Sequence, residues 1–232
     1  MSDPLLQRLR RLDVCAVSDA LDKLGLTGAV TGIPLRSTGP GGQSRIAGRA
    51  VTMKVGPGQP PAGPPKHLGC TAIEQAGPDS IIVVEQRSGV EAGCWGGLLT
   101  LGAKVRGVAG VVADGPLRDV DEAIAYEFPV YSRSLTSRTA RGRVVELGTQ
   151  VPVTLGGPAS VEGSGQVTVE PGDYVLADRS AVLCISAAQI EQVLQAAEMI
   201  VAKEAAMAKA ILSGTPIGEV MGGQYEHMLE KG

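Results

Sequence analysis

Two short runs of aliphatic residues, 80–85 (SIIVVE) and 108–113 (VAGVVA), constrain the fold of this chain more than any other feature of its sequence. Each run is long enough for one strand and lacks polar alternation, which is typical of strands buried on both faces. The Gly96-Gly97 turn opens a predicted helix over 98–106, and another helix is predicted over about 118–125. This succession of strand, helix, strand and helix indicates a parallel α/β unit.

The rest of the chain is predicted to carry helices at both ends and short strands in its second half. The leucines within 5–12 have helical spacing, and a second helix is expected to begin at Ser18, a good N-cap residue, and to end at Gly25. The further predictions are a strand over 45–55, a helix over 71–76, short β segments over 130–132, 142–147, 151–155, 166–170 and 174–177, a strand over 180–186 and a long helix over 187–212.

Two segments stand out for their composition. Residues 56–65 (GPGQPPAGPP) form a proline-rich loop that is too long for a simple connector, so we expect it to edge a site or an interface. Arg133, Arg138, Arg141 and Arg143 form a spaced basic set. This set is either a small anion-attracting patch or ordinary surface.

Composition and charge exclude several classes of partner. Hydrophobic residues make up 44% and charged residues 19% of the chain, which describes a folded globular protein. The net charge is −3 without a basic stripe, so we expect no nucleic-acid partner. The N-terminus lacks the apolar run of a signal peptide and no segment is long enough for a membrane helix, so we expect a cytoplasmic protein.

The metal-binding residue types narrow the kind of metal site that can form. The four cysteines, at 15, 70, 94 and 184, form no close pair, which argues against a zinc knuckle or a disulfide scaffold. His67 and His227 are the only histidines and are far apart in sequence. Any metal is therefore expected to be a hard cation with oxygen ligands, such as Mg²⁺ or Mn²⁺.

Two loops carry the residues with chemical potential. The glycine turn at 96–99 and the loop at 114–119 each follow a predicted strand, and in open α/β sheets such loops meet outside the carboxyl ends of the strands. Free N–H groups at the glycine turn can hold a carboxylate, although an ordinary strand-to-helix turn is the alternative. Arg118 suits a carboxylate or oxyanion and Asp119 suits Mg²⁺, whereas a surface ion pair is the alternative for this dipeptide.

The central segment resembles the RraA-like family, which includes the 4-hydroxy-4-methyl-2-oxoglutarate and 4-carboxy-4-hydroxy-2-oxoadipate aldolases. The motif over 107–119 is the specific part of the resemblance, and 17–22 (VSDALD), 171–173 (PGD) and 177–178 (AD) support it. The resemblance implies an α/β fold, the RraA-like swivelling β/β/α domain with a long C-terminal helix, over residues 1–232 as a single domain. It also implies a homotrimer or a hexamer.

The resemblance further implies roles for individual residues. The backbone of Gly96, Gly97, Leu98 and Leu99 would bind the carboxylate of a small 2-oxo acid. Arg118 would bind the substrate and stabilise the enolate oxygen, and Asp119 would ligate the metal.

Three further residues are possible members of the site. Glu122 occupies the place where the family typically has a carboxylate three residues beyond the Asp. His67 follows the proline-rich loop, and its alternative is a solvent-exposed position. A neighbouring subunit's carboxylate completes the site in the family, and Glu204 is our candidate for it.

One departure from the family pattern bears on the activity. The aldolases usually carry an Asp at the position of Gly97, where it supports the water shell of the metal. The expected function is a divalent-metal-dependent lyase that cleaves a 2-oxo acid to release pyruvate, decarboxylates oxaloacetate, or both. The alternative is a non-catalytic, RraA-type regulator that binds a ribonuclease.

Overall fold

The computed structural model describes residues 3–64, 66–157 and 165–222 of the chain. The helices are α1 (Pro4–Leu9), α2 (Val14–Lys23), α3 (Cys70–Gln75), α4 (Gly97–Val105), α5 (Val120–Ala125), α6 (Ile190–Leu212) and α7 (Ile217–Val220). The strands are β1 (Ala29–Val30), β2 (Leu35–Ser37), β3 (Ile46–Gly56), β4 (Ser80–Glu85), β5 (Gly110–Leu117), β6 (Val130–Leu135), β7 (Val145–Thr149), β8 (Val153–Leu155), β9 (Val167–Val169), β10 (Tyr174–Ala177) and β11 (Val182–Ile185).

Nine strands of the described residues form one mixed sheet, in the order β1-β11-β10-β3-β4-β5-β6-β2, with β7 also paired to β3. The four central strands β3, β4, β5 and β6 are parallel neighbours, and the pairs that surround them are antiparallel. The predicted parallel α/β unit is therefore confirmed. β8 and β9 form a separate antiparallel pair.

Both faces of the parallel strands are covered. Ile82 and Val84 of β4 belong to the core beneath α3, α4 and α5. Ile81 and Val83 of the same strand point the other way, into a core shared with the β8–β9 pair. This double burial explains why the strand reads as an unbroken aliphatic run rather than an alternating one.

The helices α1, α2 and α6 form a third layer beside β10 and β11. The first half of α6 packs into this layer, where Leu194 and Ile200 are buried. From 201 to 212 the helix has no buried residue. No helix in the described part of the chain is long and apolar enough to cross a membrane.

Several predicted boundaries were wrong. α2 begins at Val14 because the Asp13 side chain caps it, with the Ala16 N–H 2.9 Å from Asp13 Oδ1, so Ser18 lies inside the helix. Its end at Gly25, which has a φ of 65°, is as predicted. β5 runs past Asp114 to Leu117, because its residues pair with β6 again after a bulge.

The second predicted loop is therefore mostly a strand end. Only Arg118 and Asp119 link β5 to α5, and the predicted start of α5 at Arg118 was two residues early.

Candidate functional site

One cavity of about 610 Å³, which we call the site cavity, lies where the carboxyl end of β5 meets the start of α4. Its lining includes Gly96, Gly97, Arg118, Asp119 and His67. The prediction that the two loops open on one crevice is confirmed for the glycine turn and for Arg118 and Asp119, whereas Asp114, Gly115 and Pro116 line a different cavity.

The loop before α4 runs alongside the end of β5 and fixes the position of Arg118. The Cys94 N–H donates to Pro116 O at 2.9 Å, and the Arg118 N–H donates to Trp95 O at 3.1 Å. Trp95 is 1% exposed, and its Nε1–H donates to Thr100 Oγ1 at 3.0 Å, which ties the loop to the first turn of α4. The backbone at Arg118 is thus held by a buried anchor.

Two glycines of this loop leave room for the Arg118 side chain. A β-carbon on Gly93 would lie 3.0 Å from both Cγ and Cδ of Arg118, and one on Gly96 would lie 3.1 Å from Arg118 Cγ. A larger residue at either position would require the aliphatic part of the Arg118 side chain to shift. The sequence analysis missed the part played by Gly93, for which spacing alone gives no signal.

Asp119 joins the two loops through its carboxylate. Its Oδ2 accepts from the Gly97 N–H at 3.1 Å and lies 3.2 Å from Arg118 Nε. The carboxylate therefore occupies the position of an acceptor at the N-terminus of α4, where it is favoured by the helix dipole. One of the four N–H groups that the resemblance assigned to a substrate is consequently already used, which leaves those of Gly96, Leu98 and Leu99.

Glu122 fills the space next to Gly97. A β-carbon on Gly97 would overlap the Glu122 carboxylate at Oε2 and would lie 3.3 Å from Asp119 Cβ. The glycine is the first residue of α4 and its φ is outside the left-handed region. The space that a side chain at position 97 would need is thus occupied by a carboxylate that reaches over from α5.

Of the two remaining predicted residues, His67 lies at the site cavity and Glu204 lies away from it. His67 lines the site cavity, and its Nδ1 donates to Leu68 O at 2.8 Å, which leaves Nε2 as the acceptor of the neutral ring. Glu204 lies on α6 and does not line the cavity of its own chain. Its pKa is raised by burial and by the neighbouring carboxylates Asp13 and Asp19. His227 lies outside the described residues.

The donor set at the site fits a hard cation. Asp119 and Glu122 offer carboxylate oxygens beside Gly97, and Mg²⁺ is commonly held by one or two carboxylates while it keeps several waters. Zinc sites usually take three or four protein ligands, and no cluster of three or more His, Cys, Asp or Glu residues suited to a metal occurs in the described ranges.

The chain is similar to proteins with known names and structures. The family model described as RraA-like, Aldolase/RraA, matches residues 14–184. "Protein DlpA" of Legionella pneumophila is 29% identical over 92% of this chain, but the chain spans only 32% of that protein's length. The "Putative 4-hydroxy-4-methyl-2-oxoglutarate aldolase" of Halalkalibacterium halodurans is 30% identical over 89% of this chain and 88% of its own.

A solved structure has the same fold. The crystal structure of an uncharacterized protein from Pseudomonas syringae pv. tomato matches with a TM-score of 0.78 and 27% identity, over 96% of this chain and 98% of that one. The family match covers most of the chain and includes both loops of the site cavity. The chain belongs to the RraA-like family, Aldolase/RraA.

Proposed function

We propose that the chain is a divalent-metal-dependent carbon–carbon lyase that acts on a 2-oxo acid, by retro-aldol cleavage that releases pyruvate, by oxaloacetate decarboxylation, or by both. One observation carries the proposal. The Arg118 guanidinium, the Asp119 carboxylate and the first turn of α4 converge on a single cavity at the carboxyl edge of parallel strands, and the Glu122 carboxylate lies beside Gly97 of that turn.

Each group has a role in this reaction. The N–H groups of Leu98 and Leu99 hold the substrate carboxylate at the start of α4. Arg118 faces the 2-oxo oxygen and stabilises the negative charge that develops there as the carbon–carbon bond breaks. Asp119 and Glu122 are the residues that would hold a Mg²⁺ or Mn²⁺ ion, and the ion would supply Lewis-acid polarisation of the oxo group.

Retro-aldol cleavage also needs an acceptor for the proton of the substrate hydroxyl. We assign this role to His67, because it lines the same cavity and its Nε2 is the ring nitrogen left free by the bond to Leu68 O. Decarboxylation of oxaloacetate involves no such hydroxyl. Loss of His67 is therefore expected to impair the cleavage reaction more than the decarboxylation.

The proposal is tested by measuring pyruvate release from 4-hydroxy-2-oxo acids and from oxaloacetate, with MgCl₂ and with excess chelator. Activity is expected only with the cation. Asp119→Asn is the sharpest variant, because Asn tolerates the left-handed backbone of Asp119 (φ 59°) and loses only the charge. It should lower turnover by about 10²-fold or more, and Arg118→Lys should cause a similar loss, since Lys has no planar fork. Chelator-insensitive turnover would refute the metal mechanism.

The alternative of a non-catalytic regulator is favoured by one observation beside the cavity. The outer face of α4 and α5 exposes apolar side chains that could contact another protein: Leu98, Leu101, Val105 and Ile124. This reading predicts no turnover of any 2-oxo acid with any divalent cation, together with inhibition of a ribonuclease by the purified chain.

We also propose that the chain assembles as a homotrimer or a hexamer. The unburied half of α6, over 201–212, and the apolar face of α4 are surfaces that a neighbouring copy would cover. Glu204 lies on that half of α6, so Glu204 of the partner subunit is the carboxylate we expect to complete the site.

A further inference from the structure

His67 lies on a short segment, residues 66–69, that connects the proline-rich loop to α3 and that we call the His67 strap. His67 is exposed, whereas Leu68 and Gly69 of the same strap are buried. The hydrogen bond of the exposed ring, from Nδ1 to Leu68 O at 2.8 Å, is internal to the strap. The position of the ring at the site cavity therefore depends on what holds the strap itself.

Gly69 places the strap against the first turn of α4. Its φ of 84° lies in the left-handed region that favours glycine. A β-carbon at this position would lie 3.0 Å from Leu99 Cδ1 and 3.5 Å from Trp95 Cζ3. The strap therefore contacts Leu99, whose N–H is one of the groups that hold the substrate carboxylate in the proposed lyase.

A carboxylate from another part of the chain fixes this turn of the strap. The Gly69 N–H donates to Glu146 Oε2 at 2.7 Å, and the other oxygen of Glu146 accepts from the Thr149 hydroxyl. Among the described residues, Glu146 is the only one outside the strap whose side chain bonds to the backbone of the strap. Hydrogen bonds from N–H groups to a carboxylate are stronger than those between neutral groups.

Glu146 is itself anchored in the main sheet. It lies on β7, opposite Val55 of the long strand β3. The chain leaves β3 at Gly56, forms the proline-rich loop and returns as the strap. The bond to Glu146 thus ties the end of this loop back to the strand pair from which it starts. Without that bond, the strap would be held only by its contact with α4 and by α3, which begins at Cys70.

We propose that Glu146 is a positioning residue for His67. By accepting from the Gly69 N–H, its carboxylate holds the strap so that His67 Nε2 faces the substrate hydroxyl in the site cavity. Glu146 does not line the site cavity, so it acts through the strap and not on the substrate. The proposal rests on the lyase function proposed above, because that function makes His67 the acceptor of the hydroxyl proton.

Steady-state kinetics of the full chain in MgCl₂ test the proposal, with 4-hydroxy-4-methyl-2-oxoglutarate for cleavage and oxaloacetate for decarboxylation. Glu146→Ala should lower kcat for cleavage by about tenfold or more, because small displacements of a catalytic group are costly. KM should stay the same, since the groups that bind the substrate are untouched. The decarboxylation rate should also stay the same, because that reaction has no hydroxyl proton to accept.

The conservative variant Glu146→Gln should keep the cleavage activity. Its amide oxygen can accept from the Gly69 N–H, and its amide NH₂ can donate to the Thr149 hydroxyl, which is also an acceptor. Glu74→Ala is the matched control for Glu146→Ala. Glu74 also bonds to the strap, but through the Lys66 ammonium at 2.8 Å, and both of these side chains are at least half exposed. Its loss should leave both reactions unchanged.

The double variant His67→Ala/Glu146→Ala separates positioning from a merely structural role. If Glu146 acts through His67, Glu146→Ala causes no further loss of cleavage once His67 is gone. The positioning role is refuted by an equal loss of cleavage and decarboxylation in Glu146→Ala. It is also refuted by a further loss of cleavage in the His67→Ala background.

Nuclear magnetic resonance tests the positioning role without any turnover. His67 and His227 are the only histidines of the chain, so the Cε1–Hε1 resonance that disappears in His67→Ala belongs to His67. This resonance should shift in Glu146→Ala and stay in place in Glu146→Gln and Glu74→Ala. A resonance that does not respond to Glu146→Ala would overturn the positioning role. The expected response in a chain that turns over no 2-oxo acid would overturn the lyase function alone.

Discussion

Asp119 combines an unusual backbone conformation with two contacts of its carboxylate at the site. Its backbone adopts a left-handed conformation, with a φ of 59°, that most side chains avoid and Asp tolerates. This turn brings its carboxylate to the Gly97 N–H and to Arg118 Nε. The link between β5 and α5 is therefore short, and it holds Arg118 and Asp119 at the mouth of the cavity without a long loop.

Gly97 and Glu122 give the most specific prediction at the scale of single residues. Because Glu122 fills the space beside Gly97, Glu122→Ala should lower pyruvate release by about tenfold, which corresponds to about 1.4 kcal/mol. Adding Gly97→Asp to that variant should restore most of the loss, since the new carboxylate enters the emptied space and the φ of Gly97 is ordinary. Steady-state rates and Mn²⁺ affinity measured by calorimetry would follow both changes.

The single variant Gly97→Asp is the control for this pair. In the presence of Glu122, the new side chain must push the Glu122 carboxylate aside and adds a third negative group near Asp119. We therefore expect no gain in rate from it alone. A gain of tenfold or more in the single variant would show that Glu122 does not substitute for the missing acid.

At the scale of elements, the sequence predicted best where periodicity and turn residues agree. The strands over 80–85 and 45–55 and the helix after Gly96 were confirmed; the run 80–85 is almost wholly aliphatic and the helix begins at a glycine turn. β1 and β2 were missed, since two or three residues carry no periodic signal and their pairing with β11 and β6 is a tertiary property.

The sequence predicted which loops meet at the site but not how their side chains pack against each other. The convergence of the two loops follows from the topology of parallel strands and was foreseen. The overlap of Glu122 with the space beside Gly97, and the packing of Gly93 against Arg118, depend on side-chain directions that spacing does not report.

The pairing of α2 with α6 gives a prediction for stability. The pKa of Asp19 on α2 is raised by burial and by the carboxylates Asp22 and Asp13. The folded chain therefore binds this proton more tightly than the unfolded chain, so the contribution to stability is present at low pH and is lost as the pH rises through the folded-state pKa. Asp19→Asn should raise the melting temperature at pH 7 by about 2 °C, with little effect at about pH 3.

Glu198 on α6 provides a control of opposite sign. A hydrogen bond from Arg8 lowers the pKa of its carboxyl against a smaller opposing effect of burial. Its contribution is present at neutral pH and is lost on acidification, so Glu198→Gln should slightly lower the melting temperature at pH 7. If both variants changed stability in the same direction, charge would not explain the effects.

At the scale of the whole molecule, two exposed apolar surfaces lie outside the layers that bury the core. Leu98 and Val105 on α4 are 83% and 79% exposed, and Leu212 at the end of α6 is 89% exposed. Large exposed apolar side chains that lie together commonly mark an interface with another protein.

The assembly is accordingly expected to depend on these surfaces. Light scattering of the purified chain at micromolar concentration should give the mass of a trimer or a hexamer. Val105→Glu should shift the mass towards the monomer if α4 forms the contact, and Leu212→Glu should do so if α6 does. A monomeric mass for the unsubstituted chain would contradict an assembly that shares its site.

The position of Trp95 has a practical consequence. It is the only tryptophan of the chain, it is buried, and its indole is bonded to Thr100 in the first turn of α4. All intrinsic indole fluorescence therefore comes from a residue that lines the site cavity. The emission wavelength should report local loosening of α4 separately from global unfolding, and ligand entry can be followed by quenching in real time without any label.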